Sequence, residues 1–377
     1  MRLINTRTLR LREFTGRVPP YAILSHTWGK REVSLSEFRR LGSINDSKSL
    51  AKIRSACQQA FMDGLEYVWV DTCCIDKSST AELSETINSM FEYYRRAQVC
   101  YALLEDVPSP DPDDAHNPAG CFWKSRWFTR GWTLQELIAP YHVHFFNQSW
   151  SKIGEKKGLT KLLESITGVD ESVLSGGSLQ HISVGRRMSW ASNRRTTRPE
   201  DVAYSLLGIF DINMPMLYGE GMKAFIRLQE EILRQSDDQS LLAWRCTEPA
   251  FCSAPARGLL ASSPRDFANF RSRLVDHGPK KGSLIQGDDI VPFQEFHEAE
   301  NLVEMTNRGI RITSVVHDLQ PQRPFESLAL GLNCCTGDPG TSVVGIYLER
   351  HSGDRYVRAR PCIRAGCESR QDTGKWV

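Results

Sequence analysis

Tyr21-Ala22-Ile23-Leu24-Ser25-His26-Thr27-Trp28-Gly29 is an apolar run that stops abruptly at polar residues. Consecutive apolar side chains without alternation suit a strand covered on both faces, as in a parallel sheet. Three more such runs lie downstream, Tyr67 to Val70, Val99 to Leu104 and His142 to Phe146. Between them lie helical patterns. Leu50, Ile53, Cys57, Ala60 and Phe61 recur at helical spacing, with Gly64 as a stop, and so do Leu83, Ile87, Met90, Phe91 and Tyr94. Ser125 is placed to cap a third helix that Pro140 ends. Strands alternating with helices predict βαβ units with right-handed crossovers. The fold class read from this pattern is α/β, a mainly parallel sheet flanked by helices, over residues 1–150.

The remainder changes character in two steps. Residues 151–250 hold a softer connector around Gly176-Gly177 and then a helical region from Pro199 to Gln235. Residues 251–377 carry short runs separated by Gly, Pro and Asp: Gly309 to Val316, Ser327 to Leu332 and Ser342 to Arg350. They predict a small β-rich C-terminal domain with a frayed tail after Arg364. A Pro- and Asp-rich loop is expected from Val107 to Pro118.

Net charge is +2, with 40% hydrophobic and 24% charged residues. That balance points to no nucleic acid or acidic lipid surface. Arg186-Arg187 and Arg194-Arg195 read as solvated faces. Eleven cysteines, without paired C-x2-C spacing, suit free thiols in a reducing compartment. The N-terminus lacks an apolar signal core, and no stretch approaches the ~20 apolar residues of a membrane helix. Leu3, Leu9 and Leu11 among Arg and Thr read as a short strand rather than a presequence. The expectation is a cytoplasmic protein with no membrane partner.

In a parallel sheet, ligands bind beyond the carboxyl ends of the strands. The first run ends in Ser25, His26 and Trp28, the second in Asp71, Cys73, Cys74 and Asp76, the third in Glu105 and Asp106. The helix before the fourth run carries Arg130, Trp132, Gln135 and Glu136, with Trp132 and Glu136 four apart on one face. An aromatic plate beside a carboxylate, near strand-end aspartates, suits a planar base and a ribose. Each residue also has an ordinary reading: Asp76 and Asp106 as helix caps, Trp28 and Trp132 as core anchors, Glu136 as half of a surface ion pair. Ser25 and His26 are sequence neighbours and point to opposite faces, which argues against a nucleophile–base pair. His142 and His144 share a strand face but lack a third ligand, so no metal site is expected. Gly219-Glu220-Gly221-Met222-Lys223-Ala224 matches a dinucleotide fingerprint only as letters and reads better as a helix start.

These motifs resemble a family. Tyr21 to Gly29, Tyr67 to Asp76 and Ser125 to Leu137 look like the three motifs of the HET domain of fungal heterokaryon-incompatibility proteins. Arg187-Met188-Ser189-Trp190-Ala191, Glu200 to Gly208 and Leu217-Tyr218-Gly219-Glu220-Gly221 are similar to the segment usually found downstream of that domain. The resemblance implies self/non-self recognition and programmed cell death, with a homo-oligomer and other incompatibility proteins as candidate partners. Long members carry a nucleotide-binding domain and repeats, which this chain ends without. HET domains in turn resemble Toll/interleukin-receptor (TIR) domains, some of which hydrolyse NAD with one glutamate near the sheet's carboxyl edge. By that analogy Glu136 is the candidate catalytic residue, and Ser25, His26, Trp28, Asp71, Arg130 and Trp132 are candidate substrate-binding residues. NAD is the candidate substrate, with no other cofactor and no metal. Two other readings stand beside it: a non-enzymatic adaptor that kills through self-assembly or partner recruitment, and an inactive regulator of other HET proteins.

Overall fold

The computed structural model describes residues 1–40, 48–108, 121–245, 258–268 and 270, and strands between 274 and 358. It divides into two compact units: residues 1–179 with 193–224, and residues 180–192 with 225–377. The stretch 151–250 is thus shared between the units. Beyond residue 108, the loop expected to reach Pro118 lies outside the described residues, as does the tail after Arg364.

The first unit is built on a seven-stranded sheet. Its strands are β1 (Arg2–Asn5), β2 (Leu11–Glu13), β3 (Ala22–His26), β4 (Tyr67–Trp69), β5 (Val99–Leu103), β6 (Val143–Phe146) and β7 (Lys152–Glu155), in the order β2-β1-β4-β3-β5-β6-β7. The four apolar runs form its centre. β3 pairs in parallel with β4 and β5, and β5 with β6. β3 and β5 are buried along their whole length, which is why their sequences show no alternation.

The sheet is mixed, not mainly parallel. β1 pairs antiparallel with both β2 and β4, and β7 pairs antiparallel with β6. For the hairpins β1–β2 and β6–β7 the reason is chain length. Only residues 6–10 join β1 to β2, and only 147–151 join β6 to β7, far short of the dozen or more a parallel crossover needs.

Helices α1 (Leu35–Arg39), α2 (Lys48–Met62), α3 (Asp71–Cys74), α4 (Thr80–Arg96) and α5 (Thr133–Ile138) connect the strands. On α4, Ser79 caps by accepting from Glu82 N, Arg95 and Arg96 lie in the last turn, and Ile87, Met90 and Tyr94 form the buried stripe. Tyr94 donates to Leu24 O (3.2 Å), so this helix lies against β3. α2 ends at Gly64 (φ 79°), where Leu65 N donates to Ala60 O, a left-handed cap that glycine adopts without strain. A 3-10 turn (Phe122–Lys124) precedes Ser125, and the helix expected from Ser125 to Pro140 is instead a second 3-10 turn (Arg126–Thr129) followed by α5. Phe122, Trp127, Phe128 and Phe145 pack edge to face beneath it. Asp106 caps the second turn, accepting from Ser125 Oγ (2.6 Å) and Arg126 N (2.7 Å).

Further along lie α6 (Thr160–Thr167), α7 (Glu171–Leu174), α8 (Val184–Ser189), α9 (Asp201–Tyr204), α10 (Leu207–Phe210) and α11 (Lys223–Gln235). The glycine-rich segment before α11 is no dinucleotide loop. Glu200 fills it, accepting from Gly219 N (2.8 Å) and Gly221 N (3.0 Å).

The second unit carries β8 (Leu274–Val275), β9 (Gly282–Gln286), β10 (Asp289–Phe293), β11 (Leu302–Thr306), β12 (Gly309–Thr313), β13 (Val316–Asp318), β14 (Ser327–Thr336), β15 (Ser342–Ser352) and β16 (Arg355–Arg358). One sheet runs β10-β9-β15-β14-β13, with β16 beside β15 and β8 beside β14, and β11–β12 form a separate hairpin. All of these pairings are antiparallel except β9 with β15. No helix among the described residues is long and apolar enough to cross a membrane.

Candidate functional site

The parallel strands lie in the order β4-β3-β5-β6, so successive crossovers leave β3 in opposite directions. That reversal opens a switch point at the carboxyl ends of β3 and β5, where doubly wound sheets place their ligands. Ser25 and His26 close β3 there.

Ser25 is the hub of the inner side. Its Oγ donates to Glu136 Oε2 (2.5 Å) and accepts from Trp127 Nε1 (2.8 Å). Ser25 is 0% exposed and Glu136 7%. Burial pushes the Glu136 carboxyl up to about 8, aided by the charge of Asp71 and opposed by hydrogen bonds from Ser25 and Tyr94 and by the charge of Arg194. In its resting state Glu136 is therefore largely protonated at neutral pH.

Asp71, directly after β4, holds the outer side. Its Oδ2 accepts from Trp28 Nε1 (2.8 Å), and its Oδ1 lies 4.0 Å from His26 Nδ1. Trp28 is 51% exposed, so it is no core anchor, and Lys77 Nζ stands 3.7 Å from its ring centroid. The other side of His26 faces Glu32, with Nε2 3.8 Å from Oε2. Burial works to raise the Glu32 carboxyl, but His26, Lys52 and Ser49 together hold it well below the usual carboxylate range. Lys52, 7% exposed, bridges Glu32 (2.7 Å) and Glu105 (2.9 Å).

Arg130 and Trp132 face a different neighbour. Arg130 is half-buried; its Nη2 donates to Thr197 Oγ1 (3.1 Å) and its backbone bridges Arg195. The Trp132 indole bonds Asp201, which also accepts from Tyr218 OH (3.0 Å). So Trp132 serves the Thr197–Asp201 segment, while Glu136, four residues on, turns inward to Ser25. His144 lies 3.6 Å from Glu155, and among the described residues no group of three His, Cys, Asp or Glu is placed to hold a metal.

Arg194 overturns the solvated reading. It is 9% exposed, and its Nη1 donates to Arg130 O (2.9 Å) and Thr133 Oγ1 (3.0 Å). Burial lowers its guanidinium to about 9 while Glu136 opposes that shift. Only Arg195 of the pair is exposed; Arg186 and Arg187 are half-buried. Nothing in the local pattern Ser-Asn-Arg-Arg-Thr distinguishes the buried arginine from the exposed one. Trp127 and Tyr94 were likewise unmarked, because as apolar members of a turn and a helix stripe they read as core.

Buried polar atoms without a hydrogen-bond partner gather here. They include His26 Nε2, Asp71 Oδ1 and Arg194 Nη2, with Thr72 Oγ1 and Gln135 Nε2 on the residues adjoining Asp71 and Glu136. Such atoms are rare in native interiors, and their concentration is a mark of a functional site.

Residues 21–111 match the family described as heterokaryon incompatibility protein (HET), and residues 223–329 match a domain of unknown function, DUF8212. The chain is similar to the vegetative incompatibility protein HET-E-1 of Podospora anserina, 48% identical over 240 residues. That alignment covers 62% of this chain and 18% of the relative, so the chain spans under a fifth of that protein's length. No solved structure matches. The motifs at the strand ends, the matched segment and the incompatibility relative agree on a HET domain at residues 21–111 of this chain.

Proposed function

We propose that this chain acts in fungal self/non-self recognition and programmed cell death, and that it does so by hydrolysing NAD at Glu136. The observation that carries the reading is the Ser25–Glu136 pair at the switch point of the sheet, in a chain that shares 48% identity with an incompatibility protein. The TIR-like reading of the sheet belongs to the same proposal.

Cleavage of the nicotinamide–ribose bond builds positive charge on the ribose, as in glycoside hydrolysis. Water adds to the anomeric carbon, nicotinamide leaves with the bonding pair, and one proton is released. A carboxylate beside the ribose stabilises that cation. Glu136 is largely neutral while the site is empty, and a cationic nicotinamide ring supplies the charge that ionises it. Ser25 orients the carboxyl, Asp71 and His26 face the ribose hydroxyls, and the open face of Trp28 stacks on a base. Arg130 and Trp132, committed to Thr197 and Asp201, have no part in this arrangement. A homo-oligomer and other incompatibility proteins are the partners of this reading.

The adaptor reading has its own support. A fully buried Ser25 and a nearly buried Glu136 also suit a purely structural hydrogen bond. Survival and cellular NAD separate the two, measured on expression of the chain and of Glu136→Gln in a fungal or bacterial host. Hydrolysis predicts that NAD falls with the parent chain and that both NAD and survival recover in the variant. A toxic parent with constant NAD, and an equally toxic variant, would overturn it. With purified protein, kcat/KM for NAD should rise with pH towards about 8, as Glu136 ionises.

A further inference from the structure

We propose that a cavity along the β1–β2 hairpin and the end of α1 binds a polyphosphate group, apart from the Ser25–Glu136 site and independently of its chemistry. The cavity measures about 810 Å³ and is lined by five arginines, Arg2, Arg10, Arg12, Arg39 and Arg40, against one carboxylate, Glu13. That size falls within the range of small-molecule sites.

The arginines divide by their commitments. Arg2 is occupied: it donates from both guanidinium ends to Glu82, and its Nη2 lies 3.9 Å from Glu13. It is a fixed wall. Arg12 donates to Tyr67 OH (3.1 Å) and lies over the Phe14 ring, 5.2 Å from its centroid, so its plane is held while its remaining N–H groups stay available. Arg10, Arg12 and Arg39 form no ion pair with a carboxylate among the described residues.

An ordinary solvated patch spreads its charges and mixes their sign. Here guanidinium groups converge on one concave surface, where a low-dielectric wall focuses their field. The residue type narrows the ligand. No lysine lines the cavity, and the planar guanidinium fork matches phosphate oxygens two at a time. Three guanidiniums without an ion pair, those of Arg10, Arg12 and Arg39, suit a chain of phosphates rather than a single one. The same chemistry is offered by a free polyphosphate compound and by a multiply phosphorylated lipid headgroup.

The test uses the full chain at low ionic strength. One arm is calorimetric titration with inorganic triphosphate. The other is flotation with phosphatidylcholine vesicles, with and without phosphatidylinositol bisphosphate. Binding of triphosphate alone assigns the site to a free phosphate compound; binding only to the bisphosphate vesicles assigns it to the headgroup. In either arm Arg10→Gln with Arg39→Gln should weaken binding at least about tenfold, since both side chains are exposed and leave the fold intact. Glu13→Gln, which removes the one lining carboxylate, should strengthen it. The proposal fails if neither probe binds, if the double variant binds as tightly as the parent, or if an acidic peptide competes as well as triphosphate.

Discussion

A carboxyl group held near pH 8 makes Glu136 a residue whose protonation is readable in stability. Its folded value lies well above the ordinary 4.5. Between those two values the unfolded chain has released its proton and the folded chain has not, so stability falls as pH rises through that window. Glu136→Gln removes the dependence. At about pH 5 the variant should match the parent, and at about pH 8.5 it should be more stable, by at most on the order of 3–5 kcal/mol. Urea unfolding at the two pH values checks this, and an equal offset at both would contradict the buried, protonated carboxyl. Ser25→Ala acts on the same triad from the other side. It leaves the Trp127 indole N–H and the Glu136 carboxyl without their shared partner in a closed interior, at a cost of about 1–3 kcal/mol in the same assay. Ser25 and Glu136 were legible as candidates because each follows, or lies beside, a buried strand. Arg194 was not, because its burial is set by Arg130 and Thr133, more than sixty positions earlier in the chain.

Between elements, the tightest approach that rests on a described glycine is α10 against α4. A Cβ on Gly208 would lie 2.0 Å from Phe91 Cβ, so the two helices meet only because residue 208 has no side chain. Gly208→Ala should cost roughly 1–3 kcal/mol or more through forced separation. Thermal unfolding tests it, and a double variant sharpens the test. The obstructing atom is the Cβ of Phe91, which survives Phe91→Ala, so trimming Phe91 should give no rescue. Recovery of stability in Gly208→Ala with Phe91→Ala would show that the ring, rather than the backbone approach, sets the spacing.

For the whole molecule, the consequential feature is that the second unit is discontinuous in sequence. At the start of α8, Val184 N donates to Asp238 Oδ2 (2.5 Å) and Gly185 N to Ser240 Oγ (2.8 Å). Arg186 donates to Phe270 O (2.9 Å). Gln229 exchanges hydrogen bonds with the Ala261 backbone, and Trp244 donates to Leu259 O. A fragment ending at residue 250 strips partners from each of these buried groups except the first two. We expect it to melt on the order of 5–15 °C below the intact chain by differential scanning calorimetry. Equal melting temperatures would contradict a unit assembled from residues 180–192 and 225–377.

The sequence by itself determined the elements whose signal is local. Unbroken apolar runs mark β3, β4, β5 and β6, since a strand covered on both faces admits no alternation. The polar residues that end those runs mark the carboxyl edge, and three long motifs mark the HET domain. Tertiary structure decided the rest. It set the antiparallel pairing of β1 with β4, the turn of Trp132 towards Asp201 and away from Glu136, the burial of Arg194 beside an exposed Arg195, and a second unit that borrows residues 180–192. Each of these depends on a partner distant in the chain. Periodicity records which face of an element is covered, but the identity of the covering group is a long-range contact that no local pattern carries.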